Sequence, residues 1–312
     1  MRPNWSAPKP LPFNYFYYPW TFQLPNGDLF VAGPQRPSRR FDWTASPVID
    51  DPTKRYNFTI GVDRGVNMDG TAVLLALEPP DYKPRVLVAG GMPAIAQQTA
   101  EWIDLSVATP AWSALPNLNV PRDKVNSVLL PDGRVAIAGG TPYSIADGGP
   151  VELFDPKDPT AGWQIGPSMK HPRRYHSAAI LLADGSVLMG GDTDGGRDGG
   201  SLPNERYRPS YFFKTRPLIM GAPGATTYGA TFNVSTDHPA AIAKAVFMRP
   251  GAVTHAFNQA QRAIESVIAG TAGSGVRVVA PPNGMLAPPG WYLLFLVDQD
   301  RVPSEGVWIK LS

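Results

Sequence analysis

The apolar runs of this chain are short and come in pairs. TAVLLALEPPDYKPRVLVAGG (71–91), VNSVLLPDGRVAIAGG (125–140) and HSAAILLADGSVLMGG (176–191) each read as strand, turn, strand and glycine pair. YPWTFQLPNGDLFVAG (18–33) has the same shape. Three of the four turns are Asn-Gly or Asp-Gly, residues that accept positive φ, so the pattern predicts β-hairpins. The glycine pairs at 90–91, 139–140 and 190–191 recur at spacings of 49 and 51 residues. The segments between them agree as well. Each carries a Glu, an apolar residue and an Asp, then Trp112 or Trp163, then a Pro-Arg just ahead of the next hairpin. A hairpin with two further strands, recurring about every 50 residues, is the unit of a β-propeller blade. The tryptophan would pack between blades, and the glycines would let strands approach closely. A β-sandwich of similar hairpins is the alternative, but it gives no reason for the shared register of Glu, Trp, Pro-Arg and Gly-Gly.

After about residue 200 the repeat stops. ERYRPSYFF (205–213) leads into RPLIM, YGATFNV, KAVFM, SGVRVVA, WYLLFLVD (291–298) and GVWIKL (306–311), evenly spaced short strands without internal repeat. That pattern predicts an immunoglobulin-like sandwich. The expected fold is all-β: a partial propeller of about four blades over 1–204, then a sandwich over 205–312. Four blades either close a small ring or form part of a larger one, leaving an unpaired edge on the first.

Composition narrows the function. Glycine and proline make up 66 of 312 residues, which leaves little room for long helices. With 28 basic and 26 acidic residues the formal charge is +2, offering no general attraction to nucleic acid. No apolar run approaches the roughly 18 residues that span a bilayer, and MRPNWSAPKP shows no secretory h-region. There is no cysteine, which excludes disulfides, thiolate metal sites and a cysteine nucleophile.

Two stretches carry candidate chemistry. RRYHSAA places Tyr175 and His176 side by side at a strand start. Neighbours on a regular strand point to opposite faces, so the two can share one ligand only at a bend or bulge. PGAVTHAFNQAQRAIE (250–265) supplies Thr254, His255, Asn258, Gln261 and Arg262. Taken alone, such a tyrosine is also a common core ring and such a histidine a solvent-facing neighbour. Together with APPGWYLLFLVDQDRVPSEG (287–306), however, these segments resemble the galactose oxidase and glyoxal oxidase family of radical-copper oxidases. In that family a kelch propeller is followed by an early-set sandwich. The resemblance runs from the LPNGDLF hairpin to the final strand.

The resemblance implies roles. Tyr175 would be the axial copper ligand and the acceptor of the substrate proton, and His176 and His255 the equatorial imidazoles. Asn258, Gln261 and Arg262 would brace the His255 loop, the arginine through its fork of donors. Two imidazoles and a phenolate suit tetragonal Cu(II), and a bound cation favours a phenolate whose proton otherwise leaves near pH 10. His171 and His238 match nothing in the family's site.

The implied reaction oxidises a primary alcohol, aldehyde or sugar with O2 to give peroxide. It needs a second one-electron centre, a tyrosine joined to a cysteine, and that link cannot form in a chain without cysteine. The resemblance implies that this centre, the substrate arginine and a stacking tryptophan lie upstream, and that the whole protein is extracellular or periplasmic. Tyr15, Tyr17 and Tyr18, in FNYFYYPW, read as core and rim aromatics of a blade's first strand. The expectation is the C-terminal part of a copper oxidase, inactive alone. The alternative is a non-catalytic scaffold binding carbohydrate or protein. A third reading, a two-histidine, one-tyrosine metal site activating water, lacks an evident general base.

Overall fold

The computed structural model describes residues 9–14, 18–65, 69–142, 144–145, 147–191 and 203–312. Four antiparallel sheets follow one another in the first two-thirds. The first holds β1 (Thr21–Gln23), β2 (Leu29–Val31), β3 (Ser38–Phe41) and β4 (Arg55–Tyr56). The second holds β5 (Thr71–Leu74), β6 (Arg85–Ala89), β7 (Ala100–Asp104) and β8 (Trp112–Leu115). The third holds β9 (Asn126–Leu129), β10 (Val135–Ala138), β11 (Gly149–Phe154) and β12 (Trp163–Met169). The fourth has only three described strands, β13 (Ser177–Leu181), β14 (Val187–Gly191) and β15 (Glu205–Tyr207). In each, neighbours in sequence are neighbours in space, as in the blades of a propeller.

The Asn-Gly and Asp-Gly turns form as their chemistry requires. Gly27, Gly133 and Gly185 have φ of 92°, 90° and 87°. In each turn the leucine three residues earlier (Leu24, Leu130 or Leu182) accepts the glycine N–H and donates across the hairpin at 2.8–2.9 Å.

The Pro-Arg and Glu of the repeat prove to be partners. Arg64, Arg122 and Arg173, each ahead of an innermost strand, are fully buried. Each donates to the carbonyl of a glycine at the end of its sheet's second strand (Gly90, Gly139 and Gly191, at 2.6–2.7 Å). Each also pairs with a glutamate on the third strand, Glu101, Glu152 or Glu205. These carboxylates in turn accept the amides of Thr59, Asn119 and Lys170, where the chain leaves the preceding sheet. One latch thus joins strands two and three of a sheet to its predecessor. The first sheet departs from the pattern: Arg39 stands opposite Val31 where the others place the glutamate, and it pairs with Asp50 at 3.3 Å. The segment 205–207, expected to open the sandwich, instead pairs with β14. Glu205 belongs there because Arg173 and the Lys170 and His171 amides all converge on it.

The sandwich adds β16 (Ile219–Gly221), β17 (Ala225–Thr226), β18 (Thr231–Thr236), β19 (Ile242–Met248), β20 (Val253–Thr254) and β21 (Phe257–Asn258). It continues through β22 (Ala263–Ser266), β23 (Ile268–Ala272), β24 (Gly275–Val279), β25 (Gly290–Asp298) and β26 (Val307–Leu311). A sheet ordered β16-β18-β24-β23 faces one ordered β17-β26-β25-β19-β22. Alternation along β25 divides its two faces. Tyr292, Leu294 and Leu296 enter the sandwich core, while Leu293, Phe295 and Val297 pack into the cluster of the second and third sheets. Backbone bonds fix this docking: Leu77 N–H donates to Ala263, Glu265 N–H to Leu77, and Gly306 N–H to Ala183, at 2.7–2.9 Å.

Candidate metal centre

The β20–β21 hairpin carries His255 and Ala256 at its tip, with φ of 53° and 59°. Two successive left-handed residues are what a tight two-residue hairpin turn demands, and glycine or asparagine usually fills them. Here neighbours hold the conformation. The buried Asn258 side chain accepts the amides of Ala252 (3.0 Å) and Ala260 (3.2 Å), closing the loop on itself. Phe257 is fully buried and meets Phe22 edge-on at 5.4 Å.

The hairpin and the residues that follow it reach the first strand of each of the four successive sheets. Arg262 donates to the carbonyl of Gln23 on β1 and, at 2.8 Å, to that of Leu286. Thr71 on β5 donates to the Ala256 carbonyl at 3.3 Å. Gln261 accepts the Leu129 amide of β9 at 3.2 Å. Beside β13, His255 meets His176. Their Nε2 atoms stand 3.0 Å apart although 79 residues separate them.

His176 also has positive φ, 61°, and this bend lets it and Tyr175 turn toward one place. Their rings stack at 3.7 Å, and the Tyr175 ring lies 6.0 Å from that of His255. The two preceding arginines anchor the bend: Arg173 forms the fourth sheet's latch, and Arg174 donates to the Thr141 carbonyl at 2.8 Å.

A fourth ring completes the cluster. Tyr18 stacks on His255 at 3.7 Å with 17° between the planes. Expected among core and rim aromatics, Tyr18 is 38% exposed and lies against the imidazole. A signal for it existed. Tyr18 stands nine residues before the turn glycine Gly27, as His176 stands nine before Gly185, and its φ is 46°. Tyr15 and Tyr17 lie outside the described residues. His238 pairs with Asp237 at 2.8 Å on the surface, and His171 contributes its amide to Glu205.

The donor set fits one transition-metal ion. Two nitrogens bound cis to an ion at about 2.0–2.1 Å each would lie roughly 2.8–3.0 Å apart, which is the separation of the two Nε2 atoms. Burial, and then the nearby His176, holds the His255 imidazole below its ordinary 6.5, favouring the neutral form that binds metals. The Nδ1 of His255 lies 2.7 Å from Thr254 Oγ1, a partner able to fix the ring's orientation. Among the described residues no group of three or more His, Cys, Asp and Glu could hold a metal. The rings that stack on the two imidazoles bring the phenols of Tyr175 and Tyr18 beside them.

A propeller whose following sandwich lowers one histidine onto a tyrosine–histidine pair defines a class by fold and cluster together. Residues 13–198 match the family described as Glyoxal oxidase N-terminus, and 216–311 that of Galactose oxidase-like, Early set domain. The chain belongs to this glyoxal oxidase and galactose oxidase-like family. It is 30% identical to aldehyde oxidase GLOX of Vitis pseudoreticulata, covering 94% of this chain and 62% of that protein. It is 29% identical to galactose oxidase of Gibberella zeae, covering 94% and 45%. A fungal alcohol oxidase of the AA5 family, solved in complex with copper, shares the fold with a TM-score of 0.79 at 24% identity, over 94% of this chain and 63% of that one. The chain thus spans about half to two-thirds of the length of these relatives.

Proposed function

We propose that this chain provides the histidine side of a copper site in an oxidase acting on primary alcohols or aldehydes, with O2 as acceptor and peroxide as product. The observation that carries this reading is the approach of two Nε2 atoms from two domains to 3.0 Å, between two stacked tyrosines. His176 and His255 would hold the ion, with Tyr175 and Tyr18 as the phenol donors beside them. When bound, copper would supply one-electron redox capacity. Tyr175 would take the substrate hydroxyl proton, and Asn258, Gln261 and Arg262 would keep His255 in place through the contacts described above. The relatives' names support the substrate class.

The same reading sets a limit. A tyrosine–cysteine centre cannot form within a chain that has no cysteine, so the 312 residues alone should bind copper without radical turnover. The test is titration with Cu(II), followed by electron paramagnetic resonance for two nitrogen donors and a peroxide assay on glyoxal, methylglyoxal, glycerol and galactose. Two-nitrogen copper binding without peroxide is expected. No stoichiometric copper binding would overturn the site, and sustained peroxide release would overturn the limit.

A further inference from the structure

The two turns that carry the imidazoles are tied to neighbouring residues of one strand. Tyr175 and His176 are the central residues of a turn closed by Ser177. That serine gives both its N–H (3.2 Å) and its hydroxyl (2.8 Å) to the Arg174 carbonyl. A turn with positive φ at its third residue usually places glycine or asparagine there; here the doubled bond holds it on a histidine. The Ser177 oxygen in turn accepts the side-chain amide of Asn126, on β9, at 2.9 Å.

The next residue of β9 points the other way. Ser127 Oγ lies 2.7 Å from Thr71 Oγ1. Thr71 has a single hydroxyl proton, and it goes to the Ala256 carbonyl, so Ser127 is the donor between the two hydroxyls. Ala256 is the second left-handed residue of the turn that carries His255. A bracket of hydrogen bonds therefore runs from the His176 turn through Ser177, Asn126, Ser127 and Thr71 to the His255 turn. Its four side chains are 0–3% exposed.

Stacking of the sheets does not ask for these groups. Counted from the turn glycines, Asn126 and Ser127 correspond to Ala178 and Ala179 in the fourth sheet, and Ser177 corresponds to Val125 in the third. Asn126 also leaves its side-chain oxygen buried without a partner among the described residues, a cost that an apolar residue would avoid.

The structure assigns to Asn126, Ser127, Thr71 and Ser177 the role of positioning residues that set the 3.0 Å separation of the two Nε2 atoms. The purpose of that separation rests on the copper reading, but the separation itself can be measured without metal. The two arms act in series. Breaking either one frees one imidazole from the other, and breaking the second adds little.

Thr71→Val and Ser177→Ala each remove one hydroxyl, and Thr71→Ser restores the first. Metal-free crystal structures should show a longer Nε2–Nε2 separation in both variants than in the unmodified protein, and either variant suffices if the other misfolds. Cu(II) affinity should fall about 10-fold in each, as is typical when a group that orients a ligand is lost. Electron paramagnetic resonance should show a changed hyperfine splitting, and Thr71→Ser should match the unmodified protein. The double variant should bind no more weakly than the weaker single, whereas independent losses would multiply. Ser38→Ala removes a buried hydroxyl bonded to the Ala32 carbonyl and Trp112, and should change stability alone. An unchanged separation, multiplied losses in the double variant, or an equal loss of affinity in Ser38→Ala would overturn the bracket. If the unmodified protein binds no copper, the copper reading falls, and the metal-free separations still decide the bracket.

Discussion

The buried latches between sheets and the ring cluster at the propeller axis obey opposite rules. The arginine–glutamate latch occurs three times with the same partners, and all three arginines are fully buried. The ring cluster occurs once, is partly open to solvent, and places Tyr18, His176 and His255 at positive φ. At the position of His176 the third sheet carries Lys124, which simply pairs with Asp69 and Asp123. What every sheet needs in order to stack is copied. The left-handed residues of the cluster stand at one repeat position in the first and fourth sheets, Tyr18 and His176, and in the turn of the β20–β21 hairpin, His255.

The sharpest way to break this contrast is Arg122→Ala. It leaves Glu152 buried without its cation, and removing one partner of such a pair costs about 3–5 kcal/mol. Urea denaturation should show that loss, with copper affinity unchanged in the protein that remains folded. Gln261→Ala comes next, since it strips the acceptor from the Leu129 amide. Leaving a buried donor unpaired costs about 1–3 kcal/mol, and here copper affinity should fall with stability because the hairpin loosens. His255→Ala should do the reverse of the latch variant. Copper affinity drops about 10-fold or more, roughly 1.4 kcal/mol per decade, while stability falls only by the lost Tyr18 stack, about 0.5–1.5 kcal/mol; unchanged affinity removes His255 from the site.

Tyr18 divides ring from hydroxyl. Tyr18→Ala gives up the stack on His255, a pairing of about 0.5–1.5 kcal/mol, whereas Tyr18→Phe keeps it, so thermal melts should separate the two. The smallest effect is expected at the docking contact of Asp155 with Arg301. Burial works to raise the Asp155 carboxyl, but hydrogen bonds from Arg301 and the Lys157 amide outweigh it and hold the group below 3.8. A depressed carboxylate stabilises the fold above its unfolded value, and that contribution is lost as pH falls through the folded one. Asp155→Asn should therefore lower stability modestly at neutral pH, flatten the profile below about pH 4, and converge with the unmodified protein in acid.

Much of this was legible in the chain. Asn-Gly and Asp-Gly turns set the hairpins, and the Tyr175-His176 and Thr254-His255 pairs marked the positions that converge. The Glu and Pro-Arg of the repeat were visible, but their pairing was not, because sequence spacing does not tell which third strand an arginine will face. Tyr18 was missed because the position is defined by distance from the turn glycine, and a tyrosine there does not look like a histidine. Glu205 was grouped with the sandwich because the apolar pattern changes near residue 200, while its strand is placed by three polar contacts that no hydrophobic period reports.

The hairpin tip at residue 255 has one more consequence. Its imidazole is made only after every sheet it touches has left the ribosome, and it arrives only when the trailing domain has seated. Neither domain alone can present both nitrogens to an ion. Loading with metal would therefore report that synthesis and assembly of both parts are complete.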